Sequence, residues 1–472
     1  MVASWSAGHY AVTADFAEKK AKDAGDTDRL VWQLEWGAAE RGAGRFSRSQ
    51  QAFAAANETL AYWDRKPDIS LSAETLSLIN NMTSLPYRGT AYDRIMVSTY
   101  QALNYLALGE NDKARVALNQ ALDRQREAAE ANAKRLEKVK EEAASGERGN
   151  GDASYDVQRA SADGQLSAAL RANYGSLQGM RVYGDYVNPF SVWLHGVYFM
   201  ANADGNSEVE RAHLSLQRVA AMVPGCAAVQ ADFAAIRKIR DEGGPIPELT
   251  YVIFETGQAP ARREERIDIP LFVATERLPY VGAAFPKLFF KGNYASNLVV
   301  SAAGREPVRT ETVASMDNVI ATDFSNALPE VVTRTLISMG IKATASYVLN
   351  ATARHLHEQN SDEPLYALIY IGTLISTSVY SYSTTQADLR TWLTLPKEFQ
   401  VARLETPPDR KLRLLAGQSP AVDLELIPGR VNVVYVRTTG VNTPLTVSQF
   451  DLCPPLADAK ETNPQPTTHN QS

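Results

Sequence analysis

Residues 92–124 read YDRIMVSTYQALNYLALGENDKARVALNQALDR, and this stretch decides the fold of the first half of the chain. Apolar residues recur at helical spacing on both sides of Gly109, where Gly-Glu-Asn-Asp predicts a tight turn between two antiparallel helices. With Tyr105 at the eleventh position of a tetratricopeptide-type unit of about 34 residues, small and bulky residues occupy the positions that such a unit requires. These residues are Gly109, Ala114, Leu118 and Ala121. A helix pair cannot bury its apolar stripe alone, so further pairs should pack on it.

Two further helix pairs are predicted, one before and one after this central pair. In residues 28–56 a turn at Gly44 corresponds to the turn at Gly109, and the following apolar residues keep the register. In residues 188–224, Gly196 occupies the small eighth position, and Asn188-Pro189 is typical of a capped helix start. The last pair requires four extra residues in its turn. Three units are the minimum for a stack of such repeats.

The segment that follows the central pair has a different composition. Residues 123–145 are highly charged and contain few apolar side chains other than alanine, which predicts a solvated, projecting helix. Residues 161–181 are predicted to return as a second helix, so that residues 125–181 form a charged arm.

Beyond residue 245 the pattern changes to short apolar runs separated by Pro and Gly, which is typical of strands. Two long helices are predicted at 328–359 and 365–386, and they are expected to cover a sheet or sandwich. Residues 454–472 are rich in Pro, Thr and Asn, which predicts a disordered tail. The predicted strands are 249–254, 267–273, 298–301, 399–404, 411–415, 422–427 and 431–437.

The composition is that of an ordinary globular protein and excludes several classes of function. The net charge of −6 over 472 residues argues against binding to nucleic acid or to an anionic membrane surface. Only Cys226 and Cys453 are present, which excludes a thiolate zinc cluster but permits one disulfide. The opening MVASWSAGHY does not predict a secretion signal. The apolar run 365–387 contains too many Ser and Thr residues to favour a membrane span over a buried helix.

A search for catalytic and metal-binding patterns predicts neither kind of site. The sequence has no Gly-x-Ser-x-Gly elbow, no Walker-type loop and no His-Glu-x-x-His. His355 and His357 are two residues apart on a predicted helix, so they are about 200° apart around its axis and cannot share a metal. His195 lies between apolar residues and is typical of a core histidine. We therefore predict no catalytic residue, metal ligand or cofactor.

The predicted concave surface of the repeat stack is almost entirely apolar. Its single charged residue is Arg41, whereas a groove for an acidic or carboxylate-ended peptide needs several basic side chains. Because an open apolar groove promotes aggregation, we expect another part of the chain to cover it, with a hydrophobic partner helix as the alternative. The candidate binding residues are Arg41, Met96, Thr99, Leu103, Phe190, Trp193 and Val197.

Several short segments, in order along nearly the whole chain, carry a resemblance. They are 34–37 (LEWG), 89–94 (GTAYDR), 102–109 (ALNYLALG), 123–125 (DRQ), 187–190 (VNPF), 254–260 (FETGQAP), 387–392 (ADLRTW) and 395–396 (LP). Together they resemble a family of uncharacterised bacterial envelope lipoproteins with a tetratricopeptide-like N-terminal half. The resemblance implies export and a lipidated cysteine that attaches the protein to the periplasmic face of the outer membrane. No cysteine precedes Trp5, so we expect that anchor to be missing or removed. The family brings no catalytic residues.

These observations predict an α+β multidomain protein. A tetratricopeptide-like helical repeat domain is expected over residues 1–245 and an α+β domain over 246–453. The predicted function is that of a non-enzymatic envelope scaffold or adaptor, which acts on an unknown protein partner and reaches the membrane only through a lipid anchor. The alternative is a hydrolase, or a glycan- or peptide-binding protein, with a site at the domain junction. The candidate junction residues are Glu255, Asp388, Arg390 and Trp392.

Overall fold

In the part of the chain that the structure describes, the first half is helical and the second half contains strands and one long helix. The computed structural model describes residues 1–66, 85–145, 157–273, 276–359 and 386–453. The described part is mixed α/β, with N-terminal helices and several sheets. In the described part the helices are α1 Val2–Ser6, α2 Tyr10–Asp23, α3 Arg29–Gly42, α4 Phe46–Asp64, α5 Ala91–Ala107, α6 Asn111–Ser145, α7 Val157–Ser161, α8 Gly164–Tyr174, α9 Pro189–Ala201, α10 Asn206–Met222, α11 Ala227–Glu242 and α12 Met316–Gln359.

The three predicted helix pairs are present as α3–α4, α5–α6 and α9–α10. The central pair begins with a capping box, in which Thr90 accepts a hydrogen bond from the Asp93 amide and Asp93 accepts one from the Thr90 amide. Gly109 forms the turn with a φ of +74°, a conformation that favours glycine. Successive helices pack on one another, α2 on α3, α4 on α5 and α6 on α9, so the pairs form a continuous array.

Glycines allow the helices within a pair to approach closely. A Cβ atom at Gly196 would lie 2.7 Å from the Leu216 side chain of the partner helix. A Cβ atom at Gly37 would overlap the Phe53 ring of α4 in the same way. The small residue predicted at Gly196 is therefore required by the packing of α9 on α10.

The described strands form two sheets and a separate long strand pair. The strands are β1 Leu249–Thr256, β2 Ala261–Val273, β3 Glu276–Phe289, β4 Leu298–Ser301, β5 Val308–Arg309, β6 Glu311–Ser315, β7 Glu398–Glu405, β8 Lys411–Ala416, β9 Val422–Glu425, β10 Val431–Thr438 and β11 Thr446–Asp451. One sheet has the order β11-β10-β1-β7-β6 and the other β5-β4-β8-β9, while β2 pairs with β3. Strands β1 and β10 are parallel.

The five-stranded sheet lies between the helices and the four-stranded sheet. Alternate residues of a strand point to opposite faces, so a strand covered on both sides is buried throughout, as β1 and β10 are. Tyr251 and Ile253 belong to the core shared with the helices. Val252 and Phe254 belong to a second core, between the two sheets. One hydrophobic core therefore joins the helical half to the sheet.

Several predictions for the second half need correction. The seven predicted strands are present, but β3, β5, β6 and β11 were not predicted. The long helix begins at Met316, before the predicted start at residue 328, and continues through Pro329. Of the two long helices expected to cover the sheet, only the first lies in the described part, and there the inner face of the sheet also packs against the N-terminal helices. The predicted helix 365–386 and tail 454–472 lie outside the described residues, apart from position 386.

The predicted arm is only partly solvated. Helix α6 extends to Ser145 as predicted, but its residue Arg135 contacts α12 through an ion pair with Glu330, at 3.3 Å. The returning segment is not one long helix. It consists of α7, α8 and a 3₁₀ turn, Gly175–Met180, which bury Leu166 and Tyr174 against the rest of the fold.

Candidate binding site where the helices meet the sheet

A buried ion pair lies at the centre of the contact between the helices and the sheet. Glu255 of β1 and Arg437 of β10 are neighbours across the parallel strand pair, and both point towards the helices. The Tyr100 hydroxyl of α5 donates a hydrogen bond of 2.6 Å to the Glu255 carboxylate. Burial and the adjacent Glu255 carboxylate raise the pKa of Tyr100 well above its usual value. Glu255 is therefore held by a cation and a hydroxyl, which suits a structural ion pair better than a proton-transfer group.

Arg41, at the end of α3, lies beside this ion pair. It donates a 2.7 Å hydrogen bond to Asn104 Oδ1 of α5, and its guanidinium lies 4.4 Å from the centre of the Tyr435 ring. Asn104 in turn donates to Ser49 Oγ, which donates to the Gly37 carbonyl. This chain of hydrogen bonds holds Arg41 in a fixed position between two helix pairs and β10.

A cavity of about 530 Å³ opens next to Arg41. Arg437 and Tyr435 of β10 form its inner wall, and the first turn of α2 and the start of α4 form its outer wall. The cavity thus lies between the start of α2, the loop from α3 to α4, and strands β10 and β11.

The other predicted groove residues are buried in the core and do not line this cavity. Phe190 stacks on Phe399 of β7, and Trp193 Nε1 donates a 2.9 Å hydrogen bond to Asp232 of α11. Thr99 is hydrogen-bonded to Ser191 at 2.7 Å. The remaining residues, Met96, Leu103 and Val197, are fully buried. The five-stranded sheet therefore occupies the inner face of the helical array, as the expectation of an intramolecular cover required.

The structure separates the four candidate junction residues into two places. Trp392 is buried with its ring centre 5.8 Å from that of Tyr100, so it lies close to the Glu255 ion pair. Arg390 forms two 2.8 Å hydrogen bonds to the Asp388 carboxylate and also binds the start of α3 through Asp28. No histidine contacts either group among the described residues. Asp388 and Arg390 thus form a structural link between the chain before β7 and α3.

The comparisons with known proteins give no further guidance. No protein-family model, curated protein or solved structure matches this chain. The function must therefore be argued from the geometry of the chain itself.

The sequence analysis does not identify two buried carboxylates, Glu35 and Asp232. The hydrogen-bond partners of both lie far away in the sequence. Glu35 of α3 accepts hydrogen bonds from the amides of Leu393, at 2.6 Å, and Thr394, at 3.2 Å. Its burial raises its pKa to about 7. Asp232 accepts hydrogen bonds from Trp193, Tyr251 and Arg403. Glu35 lies in the Leu-Glu-Trp-Gly segment, whereas no local pattern marks Asp232.

The remaining polar candidates are structural in the described part of the chain. His195 is hydrogen-bonded to Ser215 and Asn119, and burial lowers its pKa to about 4, so it stays neutral. The side chains of His355 and His357 lie outside the described ones. Cys226 and Cys453 are free thiols. Within the described ranges, no cluster of His, Cys, Asp and Glu has the geometry of a metal site, and no helix is long and apolar enough to cross a membrane.

Proposed function

We propose that this protein is a non-enzymatic scaffold or adaptor of the bacterial cell envelope, which acts by protein–protein contact through its helical array and the charged part of α6. The observation that carries this proposal is the length of α6. It has 35 residues, whereas its partner α5 has 17, so about half of α6 extends past the helix pair. No side chain from 126 to 135 is buried.

The extension is held in a fixed direction by α12. Arg135 donates a 3.1 Å hydrogen bond to the Asn326 carbonyl in addition to its ion pair with Glu330. Glu130 and Lys134 remain exposed on the same helix. A rigid helix with exposed charges is suited to recognition by a partner, because little conformational entropy is lost on binding.

We further infer that the array is tetratricopeptide-like and forms a domain over residues 1–245, with an α+β domain over 246–453. The close packing at Gly196 and the turn at Gly109 support the repeat. The change from helix to strand between Glu242 and Leu249 supports the boundary. Since the sheet fills the inner face of the array, a partner would bind on another surface.

Site-specific photo-crosslinking tests the adaptor proposal in cells. Deletion of residues 125–181 would also remove the buried residues Leu166 and Tyr174 and would disturb the core. A photoreactive residue at the exposed Ala133 leaves the core intact. We expect it to yield a discrete protein adduct that Glu130→Lys suppresses. The matched control is the same residue at Leu214 of α10, which is 61% exposed. Equal adducts at both positions, or no adduct at Ala133, would contradict the proposal.

The envelope location rests on the sequence resemblance and needs its own test. Fractionation of the source bacterium, followed by immunodetection of the native protein, should recover it with the outer membrane. Recovery with the cytosolic fraction would contradict this location without affecting the crosslinking result.

A second candidate function is ligand binding at the junction of the helices and the sheet. The cavity beside Arg41 favours it over the related hydrolase hypothesis. A hydrolase requires a poised acid or base, but Glu255 is bound by Arg437 and Tyr100. For the binding hypothesis to hold, the lining of the cavity must favour a particular class of ligand.

A further inference from the structure

The cavity beside Arg41 has a strongly basic lining. Arg41, Arg45 and Arg437 all line it, and no Asp or Glu is among its described lining residues. Arg45 pairs with Asp15 and Glu40 outside the cavity, and Arg437 pairs with Glu255. Arg41 pairs with no carboxylate in the described part of the chain. A buried arginine without a counter-ion is unfavourable, so this cavity favours an anion.

Two arginines that line the cavity each have a buried nitrogen without a hydrogen-bond partner among the described residues. Arg41 Nε and Arg437 Nη1 make no hydrogen bond to any described residue, although each side chain belongs to a residue only 5% exposed. Native proteins rarely leave buried donors unmet, so two of them on neighbouring arginines indicate a missing acceptor.

Two helices begin at residues that line the cavity. Helix α2 begins at Tyr10 and α4 at Phe46, and both residues belong to the lining. The N-cap residues, His9 and Arg45, make no side-chain capping hydrogen bond. The free amides and the positive end of each helix dipole therefore add to the attraction for an anion.

We propose that this cavity is a binding site for the phosphate monoester group of a small ligand. Three arginines line it, Arg41 and Arg437 each keep a nitrogen without a partner among the described residues, and two helices begin at its lining. A carboxylate offers two oxygens in one plane, whereas the three terminal oxygens of a phosphate monoester point in different directions and accept more bonds. The rings of Tyr10, Phe46 and Tyr435 provide apolar walls for the organic part of the ligand. This inference is independent of the adaptor function.

Titration calorimetry with the full chain at constant ionic strength tests the site. The ligands are inorganic phosphate, phenyl phosphate and, as the carboxylate probe, acetate. We expect saturable binding of phosphate at least about tenfold tighter than binding of acetate, with phenyl phosphate tighter still. Vesicles of phosphatidylcholine with phosphatidic acid show whether the phosphate of a lipid headgroup binds as well as a free ester.

Two pairs of variants separate the site from a general charge effect. Arg45→Gln removes a cation from the lining, whereas Arg48→Gln removes one outside it; both arginines pair with Glu40 and are about equally exposed. Val12→Glu places an anion at the exposed edge of the cavity, and Val116→Glu places one on an exposed face of α6.

The first variant of each pair should weaken phosphate binding by at least about threefold, and the second should leave it unchanged. Circular dichroism melts confirm that all four variants fold. Three results would overturn the proposal: no saturable phosphate binding, acetate binding as tight as phosphate, or equal effects within each pair. Vesicle binding that depends on Arg45 supports the same site with a lipid as the source of the phosphate.

Discussion

The ring of Phe190 in α9 stacks on the ring of Phe399 in β7, with centroids 4.1 Å apart and planes inclined by 9°. Phe190 belongs to the apolar groove predicted from the helical repeats, and Phe399 belongs to the central sheet. Both rings are completely buried. The contact shows how the sheet closes the groove: an aromatic side chain from the second half of the chain occupies the place where a partner helix would otherwise bind.

A charge introduced into the closed groove should unfold the protein. Leu103 is fully buried on the inner face of α5, and Leu103→Glu would place a carboxylate without a partner in the core. We expect the cooperative thermal transition to be lost or the melting temperature to fall by more than about 10 °C. Val116→Glu, on an exposed face of α6, should leave the transition unchanged. A soluble Leu103→Glu protein with an unchanged melt would contradict the closed groove.

The contact between α9 and α10 predicts a strong effect of one methyl group. Gly196→Ala would place a Cβ atom 2.7 Å from Leu216, and the added methyl should cost about 1–3 kcal/mol of unfolding free energy through overpacking. Gly225→Ala is the matched control, because no atom lies within 4 Å of a Cβ there. Urea unfolding measures both changes. Equal stabilities of the two variants would show that α9 and α10 do not pack as closely as described.

The Asp232 carboxylate should be essential for attaching α11 to the sheet. It accepts hydrogen bonds from Tyr251 Oη at 2.6 Å and Arg403 Nε at 2.8 Å. Asp232→Ala would leave the Arg403 cation without its partner, and we expect a loss of about 3–5 kcal/mol in urea unfolding. Asp241→Ala removes an exposed carboxylate of the same helix and should cost less than about 1 kcal/mol. Similar losses for both variants would contradict a buried ion pair at Asp232.

Glu35 should make the stability of the protein depend on pH. Burial raises its pKa in the folded protein to about 7 from a usual value of 4.5. Between these two values the folded state holds a proton that the unfolded state releases. The contribution of Glu35 is therefore fully present below pH 4.5 and falls as the pH rises to about 7, after which it stays constant.

The variant Glu35→Gln isolates this effect, because it does not titrate. The difference in unfolding free energy between the native protein and the variant should shift by about 3 kcal/mol between pH 4.5 and 8, against the native protein at the higher pH. The pKa of Asp323 is also raised to about 7, but it contributes equally to both proteins and cancels in the difference. A difference that does not change with pH would contradict the buried, protonated carboxyl.

The helix pairs and seven strands could be predicted because their signals are local. Gly109 identifies the turn and Gly196 the close packing of two helices, and short β-branched runs identify buried strands. Strand β3 was missed because Pro279, Gly282 and Pro286 argue against a strand. These proline and glycine residues are tolerated because β3 pairs on one edge only, with β2, in the described part.

The candidate site could be predicted only in part, because its members come from distant parts of the chain. Arg41 was identified as the single charge of the groove, and Glu255 as a junction residue. Their neighbours Arg437 and Tyr435 lie in a predicted strand, but nothing local shows which face of that strand meets the helices. The unmet arginine donors became visible only when α3 and β10 were placed together.

A double-mutant cycle on Phe190 and Phe399 tests the closed groove most directly. Unfolding free energies are measured for the native protein, Phe190→Leu, Phe399→Leu and the double variant. The stacked rings predict a coupling of about 1 kcal/mol, so the double variant should lose less stability than the sum of the two single losses. Losses that add to within about 0.3 kcal/mol would mean that the two rings do not touch, and would contradict a groove closed by the chain's own sheet.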